Sequence, residues 1–230
     1  MTHKDKNIPE RRTLRTECAG LHVRESADGA SPSRTIAGYA VVFGMQSAPL
    51  WSDDECEARE VIAPEAITPE LLDRCDIKFT MFHDRQLLLA RSNQGEGTLR
   101  YSVDAHGVAF EFDAPHTSDG DKALELVRRG DISGCSFAFT TRYYDRDFVA
   151  LDACTLADGR RQYVYTVRVI LDVRDFTLTA DPAYPDTGVE AREFIDTLRG
   201  GIVPAPAAPD AAELRRQIER TRSAAEKPII

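Results

Sequence analysis

Residues 77–112, IKFTMFHDRQLLLARSNQGEGTLRYSVDAHGVAFEF, decide the fold class of this chain. Short strand-like runs follow one another there, separated by glycines and polar turns, at 77–82, 87–90, 98–103 and 108–112. Runs this closely spaced favour antiparallel pairing, because parallel βαβ units need a helix-length crossover between strands. The stretch therefore predicts a mainly β protein built as an antiparallel sheet or barrel.

The flanking segments add strands and a few helices, so we expect an α+β fold that is mainly β. Thr68 predicts the cap of a brief helix that begins at Pro69, and Ser118 predicts the capped start of a longer helix that ends at Gly130. Residues 45–58 predict a long polar loop. Further strands are predicted at 12–23, 36–43, 60–62, 135–144 and 162–179.

Domain organisation follows from shifts in composition. We expect a flexible N-terminus at 1–11, one folded domain at 12–200, and a Pro/Ala linker with a charged C-terminal helix at 201–230. Thr187 and Glu190 form a capping-box pattern for a helix that reaches about Arg199, near the end of the folded domain.

Charge and hydropathy exclude several classes of function. The 230 residues carry a formal net charge of -9, which disfavours nucleic acid as a partner, because phosphate contacts need clustered Lys and Arg. No apolar run of about 18 residues occurs, so we expect no membrane span. The N-terminal residues lack the apolar stretch of a secretory signal, which predicts a cytosolic protein.

The five cysteines predict neither disulfides nor a zinc site, because they are odd in number, widely spaced and without a C-x-x-C pair. We therefore expect reduced thiols.

Two places in the sequence offer nucleophile or base chemistry. His83 follows an apolar strand and precedes Asp84, and an imidazole can act as a general base near neutral pH. The second is the segment that contains Ser136. Alternation along the strand puts Phe137 and Phe139 on the packed face, so Ser136 would emerge on the opposite face. By pattern alone, a structural histidine and an ordinary strand serine are the plainer interpretations.

Six sequence segments, taken together, favour a functional interpretation of His83 and Ser136 instead. They occur in the order GYAVVFG, REVIAPEAI, FHDRQLLLARS, GVAFEFDAP, ALELVRRGDISGCSFAF and DFTLTADPAYPDT, over about residues 36–188. In order, spacing and chemistry this set resembles the tailed-phage (caudovirus) prohead maturation proteases, which are serine peptidases. The resemblance implies a herpesvirus assemblin-like fold, an antiparallel β-barrel flanked by a few helices.

The resemblance also implies the site residues. Ser136 matches the family's nucleophile in the block SGCSFAF and His83 its base, while counting back from the block PAYP indicates Asp175 as the acidic member. Asp172 and Asp84 are the competing carboxylates. Main-chain amides around 134–137, supported by Arg91, Arg128 or Arg129, are the candidate oxyanion donors.

The function implied is that of a serine endopeptidase that cleaves the scaffolding segment of the major capsid protein, and itself, inside the immature capsid in the host cytoplasm. It would need no metal or cofactor, and assemblin-like enzymes dimerise, so a homo-oligomer is expected. The alternatives are an inactive capsid-assembly module of the same fold, a cysteine peptidase acting through Cys135, with Ser133 as a further nucleophile candidate, and, last, a nucleic-acid-binding protein.

Overall fold

The structure, a computed structural model, describes residues 10–14, 20–25 and 33–180. Strands dominate these residues, so the prediction of a mainly β fold is confirmed. The strands are β1 (Glu10–Leu14), β2 (His22–Val23), β3 (Thr35–Val42), β4 (Trp51–Ser52), β5 (Cys56–Ile62), β6 (Asp76–Met81), β7 (Asp84–Asn93), β8 (Glu96–Gly97), β9 (Arg100–Val103), β10 (Gly107–Asp113), β11 (Gly134–Thr140), β12 (Val149–Thr155), β13 (Arg161–Val167) and β14 (Asp172–Thr179).

These strands form three sheets. The largest has the order β1-β11-β14-β6-β7-β8, and the two four-stranded sheets have the orders β2-β3-β10-β9 and β12-β13-β5-β4. Most pairs are antiparallel, as expected, but β14 runs parallel to β6 and β13 runs parallel to β5. No closed barrel is found among the described residues, so the barrel and the assemblin likeness stay predictions.

Two α-helices accompany the sheets in the described residues, α1 (Pro69–Arg74) and α2 (Ser118–Arg129), with a short 3-10 helix at Pro64–Ala66. Thr68 caps α1 as predicted, its Oγ1 accepting the N–H of Leu71 at 3.3 Å. For α2 the predicted cap was wrong by one residue. Thr117, not Ser118, is extended and accepts the N–H of Gly120 at 3.2 Å, so Ser118 is the first helical residue.

In two segments the observed secondary structure differs from the prediction. The single strand expected over 162–179 is two strands, β13 and β14, because its halves belong to different sheets. The polar loop expected over 45–58 contains β4 and the start of β5. Its Trp51 is only 6% exposed, so burial of that side chain overrides the polar composition around it.

The central strands of the six-stranded sheet are buried on both faces. One face carries large apolar side chains that pack in the core: Phe79, Met81, Phe137, Phe139, Phe176 and Leu178. The opposite face carries Thr80, Thr177 and Ser136 at paired positions on β6, β14 and β11. The predicted alternation along β11 is confirmed, but Ser136 does not emerge into solvent, being 1% exposed.

The expected helix from Thr187 and the charged C-terminal segment lie outside the described residues, as does most of the expected flexible N-terminus. The domain boundaries stay predictions for that reason. None of the helices in the described ranges is long and apolar enough to cross a membrane.

Candidate active site

A two-residue turn between β6 and β7 carries His83. Met81 pairs with Asp84 across the hairpin, so Phe82 and His83 are its central residues. Both have a φ of 56°, the left-handed region that type I′ hairpin turns require and that Asn or Gly ordinarily occupies. An L-residue with a Cβ pays about 1–2 kcal/mol for that conformation, so contacts elsewhere in the fold must hold this turn.

Strand β14 supplies those contacts. The N–H of Phe82 donates to the main-chain carbonyl of Leu178 at 2.9 Å. The N–H of His83 donates to Oγ1 of Thr177, also at 2.9 Å. Both central N–H groups of the turn are therefore bonded to neighbouring residues of one strand.

The imidazole of His83 joins Asp175 and Ser136. Its Nδ1 lies 2.7 Å from Oδ1 of Asp175, and its Nε2 lies 2.9 Å from Oγ of Ser136. An ionised carboxylate can only accept hydrogen bonds, so Nδ1 carries the proton and donates to Asp175. In the neutral ring, Nε2 is then the acceptor for the Ser136 hydroxyl.

Strand register explains why residues far apart in sequence meet here. Ser136 on β11 is opposite Thr177 on β14, so the two side chains lie on the same face of the sheet. Asp175 precedes Thr177 by two residues and therefore shares that face. Because β14 also pairs with β6, the turn that follows β6 holds His83 beside both side chains.

The site is largely shielded from water. The side chains of His83 and Asp175 are each 16% exposed, and Ser136 is 1% exposed. Low solvent exposure strengthens a hydrogen-bond chain between a carboxylate, an imidazole and a hydroxyl, because the local dielectric constant is lower than that of water.

The two competing carboxylates have other partners. Asp172 accepts from Nε of Arg174 at 3.2 Å. Asp84 follows His83 directly in sequence, but its Oδ1 accepts the N–H of Gln86 at 2.8 Å. Among the three acids considered from the sequence, Asp175 is the one hydrogen-bonded to the imidazole.

The competing nucleophiles are placed less favourably. Cys135 is fully buried on the face opposite Ser136, and burial raises the pKa of its thiol to about 12. A thiol with that pKa stays protonated near neutral pH, and the thiolate is the reactive form. Ser133 lies before β11 begins at Gly134, whereas Nε2 of His83 faces Ser136.

The arginines considered as oxyanion support each have another partner. Arg91 bonds Asp76 at 2.7 Å, Arg128 donates to the carbonyl of Ser33 at 2.7 Å, and Arg129 bonds Asp131 at 2.9 Å. These contacts favour structural roles for all three.

Sequence reasoning missed Thr177, which contacts the main chain of His83, and its buried neighbour Thr80, which does not. Both are almost fully buried, and Oγ1 of Thr80 donates to Oγ1 of Thr177 at 3.0 Å. The alternation in DFTLT, residues 175–179, places Asp175 and Thr177 on one face and could have drawn attention to Thr177. No group of three or more His, Cys, Asp or Glu that could hold a metal ion occurs within 10–14, 20–25 and 33–180.

Comparison with known proteins identifies the family. A search of curated proteins and a search of solved structures gave no match. The family model described as caudovirus prohead serine protease matches residues 20–199, a span that contains the hydrogen-bond chain from Asp175 through His83 to Ser136. Because this match covers most of the chain, the protein belongs to the caudovirus prohead serine protease family.

Proposed function

We propose that the protein is a serine endopeptidase with Ser136 as nucleophile, His83 as general base and Asp175 as the group that orients the imidazole. The observation that carries this proposal is the pair of hydrogen bonds on the two ring nitrogens of His83, 2.7 Å to Asp175 and 2.9 Å to Ser136. The same three roles define the catalytic triad of serine peptidases.

The proposed steps of peptide hydrolysis follow from the tautomer of His83 that carries its proton on Nδ1. As Oγ of Ser136 attacks a peptide carbonyl, Nε2 of His83 takes the hydroxyl proton and a tetrahedral intermediate forms. That proton then passes to the departing amine, the C–N bond breaks, and an acyl-enzyme ester remains. A water molecule deprotonated by the same Nε2 hydrolyses the ester and restores Ser136. Asp175 stabilises the imidazolium that forms in each half of the cycle.

The substrate we propose is the scaffolding segment of the major capsid protein, with self-cleavage in addition, inside the prohead in the host cytoplasm. Membership of the prohead protease family supports a protease role in capsid maturation. An assemblin-like barrel and a homo-oligomer remain part of this proposal.

A second candidate is an inactive capsid-assembly module of the same fold. The near-complete burial of Ser136, which is 1% exposed, favours it, because a substrate carbonyl must reach the hydroxyl. The hydrogen bond from Ser136 to His83 favours the enzyme, since an assembly module has no need of a paired base.

Co-expression with the major capsid protein tests the proposal, with intact masses of both chains as the readout. The wild type is compared with Ser136→Ala and with Ser133→Ala as the matched control. We expect capsid-protein processing in the wild type and the control, and none in Ser136→Ala. Equal processing in all three would contradict the assignment, and no processing in any would favour the assembly module.

A further inference from the structure

We propose that Thr177 is a positioning residue for His83: its buried hydroxyl holds the main chain of the turn so that the imidazole reaches Ser136 and Asp175 together. This inference rests on the proposed function, because it concerns how the general base is placed.

The hydroxyl oxygen of Thr177 accepts two hydrogen bonds although the residue is completely buried. It accepts the N–H of His83 at 2.9 Å and the O–H of Thr80 at 3.0 Å, and its own hydrogen points to the carbonyl of Leu178 at 3.5 Å. A buried hydroxyl is costly unless it is bonded, and valine would fill the same space without that cost. The polar contact to His83 is what threonine adds at this position.

The turn depends on this contact because the hairpin itself offers no partner for the central N–H groups. In a two-residue hairpin the flanking residues, here Met81 and Asp84, bond to each other. The N–H of Phe82 has Leu178 and that of His83 has Thr177. Without the hydroxyl, the N–H of His83 loses its acceptor while its φ of 56° remains disfavoured for a residue with a Cβ.

A small movement of the turn would matter for catalysis. Nε2 of His83 lies 2.9 Å from Oγ of Ser136, at ordinary hydrogen-bond length. A displacement of about 1 Å breaks that geometry, and misplacements of this size can cost about a hundredfold in rate. The expected consequence is a slower chemical step.

Thr80 provides a matched control. It is paired with Thr177 across β6 and β14, is equally buried, and donates to Thr177. It makes no hydrogen bond to His83, whose main-chain and ring partners are Thr177, Asp175 and Ser136. Thr80→Val therefore removes a buried hydroxyl from the same network and leaves the contact to His83.

The experiment measures two properties of the full chain. The first is the rate constant for labelling of Ser136 by a fluorophosphonate, a small probe that reports nucleophile activation. The second is the ¹⁵N spectrum of the His83 ring, which distinguishes a protonated Nδ1 from a protonated Nε2. The variants are Thr177→Val, Thr177→Ser and Thr80→Val, with melting temperatures as a check on folding.

We expect labelling to slow by at least about tenfold in Thr177→Val and to stay within about threefold of the wild type in Thr177→Ser and Thr80→Val. In the ¹⁵N spectra, Thr177→Val should be the only variant in which the His83 ring shows a mixture of the two tautomers. Should Thr177→Val fail to fold, Thr177→Ala and Thr177→Ser, which differ only by the hydroxyl, replace that comparison.

Two outcomes overturn the inference: equal rates and spectra in Thr177→Val and the wild type, or an equal loss in Thr80→Val, which would indicate general packing. Failure of the proposed function looks different, because the wild type itself would then label no faster than Ser136→Ala. The ¹⁵N spectra would still decide whether Thr177 positions the ring, since they need no activity.

Discussion

Asp175 and Thr177, two residues apart on the same face of β14, hold His83 at two separate points. Asp175 binds the imidazole at Nδ1, and Thr177 binds the main-chain N–H. One strand therefore sets both the tautomer and the position of the proposed base. Ser136 is paired with Thr177 on the adjacent strand. The positions of Ser136, His83 and Asp175 are therefore all fixed relative to β14.

The first prediction concerns the carboxylate. Asp175→Asn should slow labelling of Ser136, and any peptide hydrolysis, by about 10²–10⁴-fold. The side-chain amide of asparagine can donate to Nδ1, which favours the tautomer with the proton on Nε2. In that tautomer the ring cannot accept the proton of Ser136. Labelling rates at neutral pH measure the effect.

The matched control is Asp172→Asn, at the first residue of the same strand, where the carboxylate bonds Arg174. We expect a rate within about threefold of the wild type, since ordinary surface changes have small effects. A larger loss in Asp172→Asn than in Asp175→Asn would reverse the assignment of the acid.

The sequence could predict the two groups whose neighbours in the chain carry the signal. His83 and Ser136 stand in recognisable blocks, and the alternation around Phe137 and Phe139 correctly places Ser136 on the opposite face. For the acid, counting back from the block PAYP indicates Asp175, but Asp172 is only three residues away and competes with it. Only the pairing of β14 with both β11 and β6 decides which carboxylate reaches the ring.

The turn that holds His83 could not be predicted from local rules. Neither Phe82 nor His83 favours a positive φ, so the sequence indicated a strand that runs through Phe82. The contacts that stabilise the turn come from Leu178 and Thr177, more than ninety residues further along the chain. Residues that break local rules often lie at functional sites, where tertiary contacts compensate for the strain.

A second prediction tests the cysteine alternative. Iodoacetamide applied to the native protein near pH 8 should alkylate the exposed Cys154 and leave Cys135 unmodified, with labelling of Ser136 unchanged. Burial raises the pKa of the Cys135 thiol to about 12, so almost no thiolate is present at that pH. Peptide mass mapping identifies the modified residues. Loss of activity that parallels alkylation of Cys135 would support the cysteine peptidase instead.

A third prediction concerns stability and pH at Asp76. Hydrogen bonds from Arg91, and then from Lys78, lower the pKa of this carboxyl from 3.8 to about 2. A lowered pKa stabilises the fold above the unfolded value of 3.8, and this contribution is lost as the pH falls towards 2. Because the side chain is 36% exposed, solvent screening reduces the contribution to at most about 1 kcal/mol.

Asp76→Asn should therefore lower the free energy of unfolding by up to about 1 kcal/mol at pH 7, with the difference from the wild type shrinking below about pH 4. Urea titrations at several pH values measure this, with Asp54→Asn at an exposed loop position as the control. A difference that grows as the pH falls would contradict the stabilising role of the ionised carboxylate.

The last prediction uses a second turn with positive φ at both central residues. Gln94 and Gly95 join β7 to β8 with φ values of 53° and 82°, so this turn also needs positive φ at both central residues. Gly95 adopts a positive φ without strain because it has no Cβ, so only Gln94 is strained in this turn. In the Phe82-His83 turn both residues carry a Cβ. Asn-Gly is the preferred pair for such turns, because asparagine tolerates the left-handed region better than glutamine.

Gln94→Asn should therefore raise the free energy of unfolding by about 0.5 kcal/mol, and Gln94→Val, which is β-branched, should lower it. Urea unfolding of the three proteins measures both signs, and labelling of Ser136 should stay unchanged because the turn lies at the far end of β7 from His83. An asparagine variant less stable than the wild type would mean that a positive φ is not what limits this turn, and would weaken the same argument for His83.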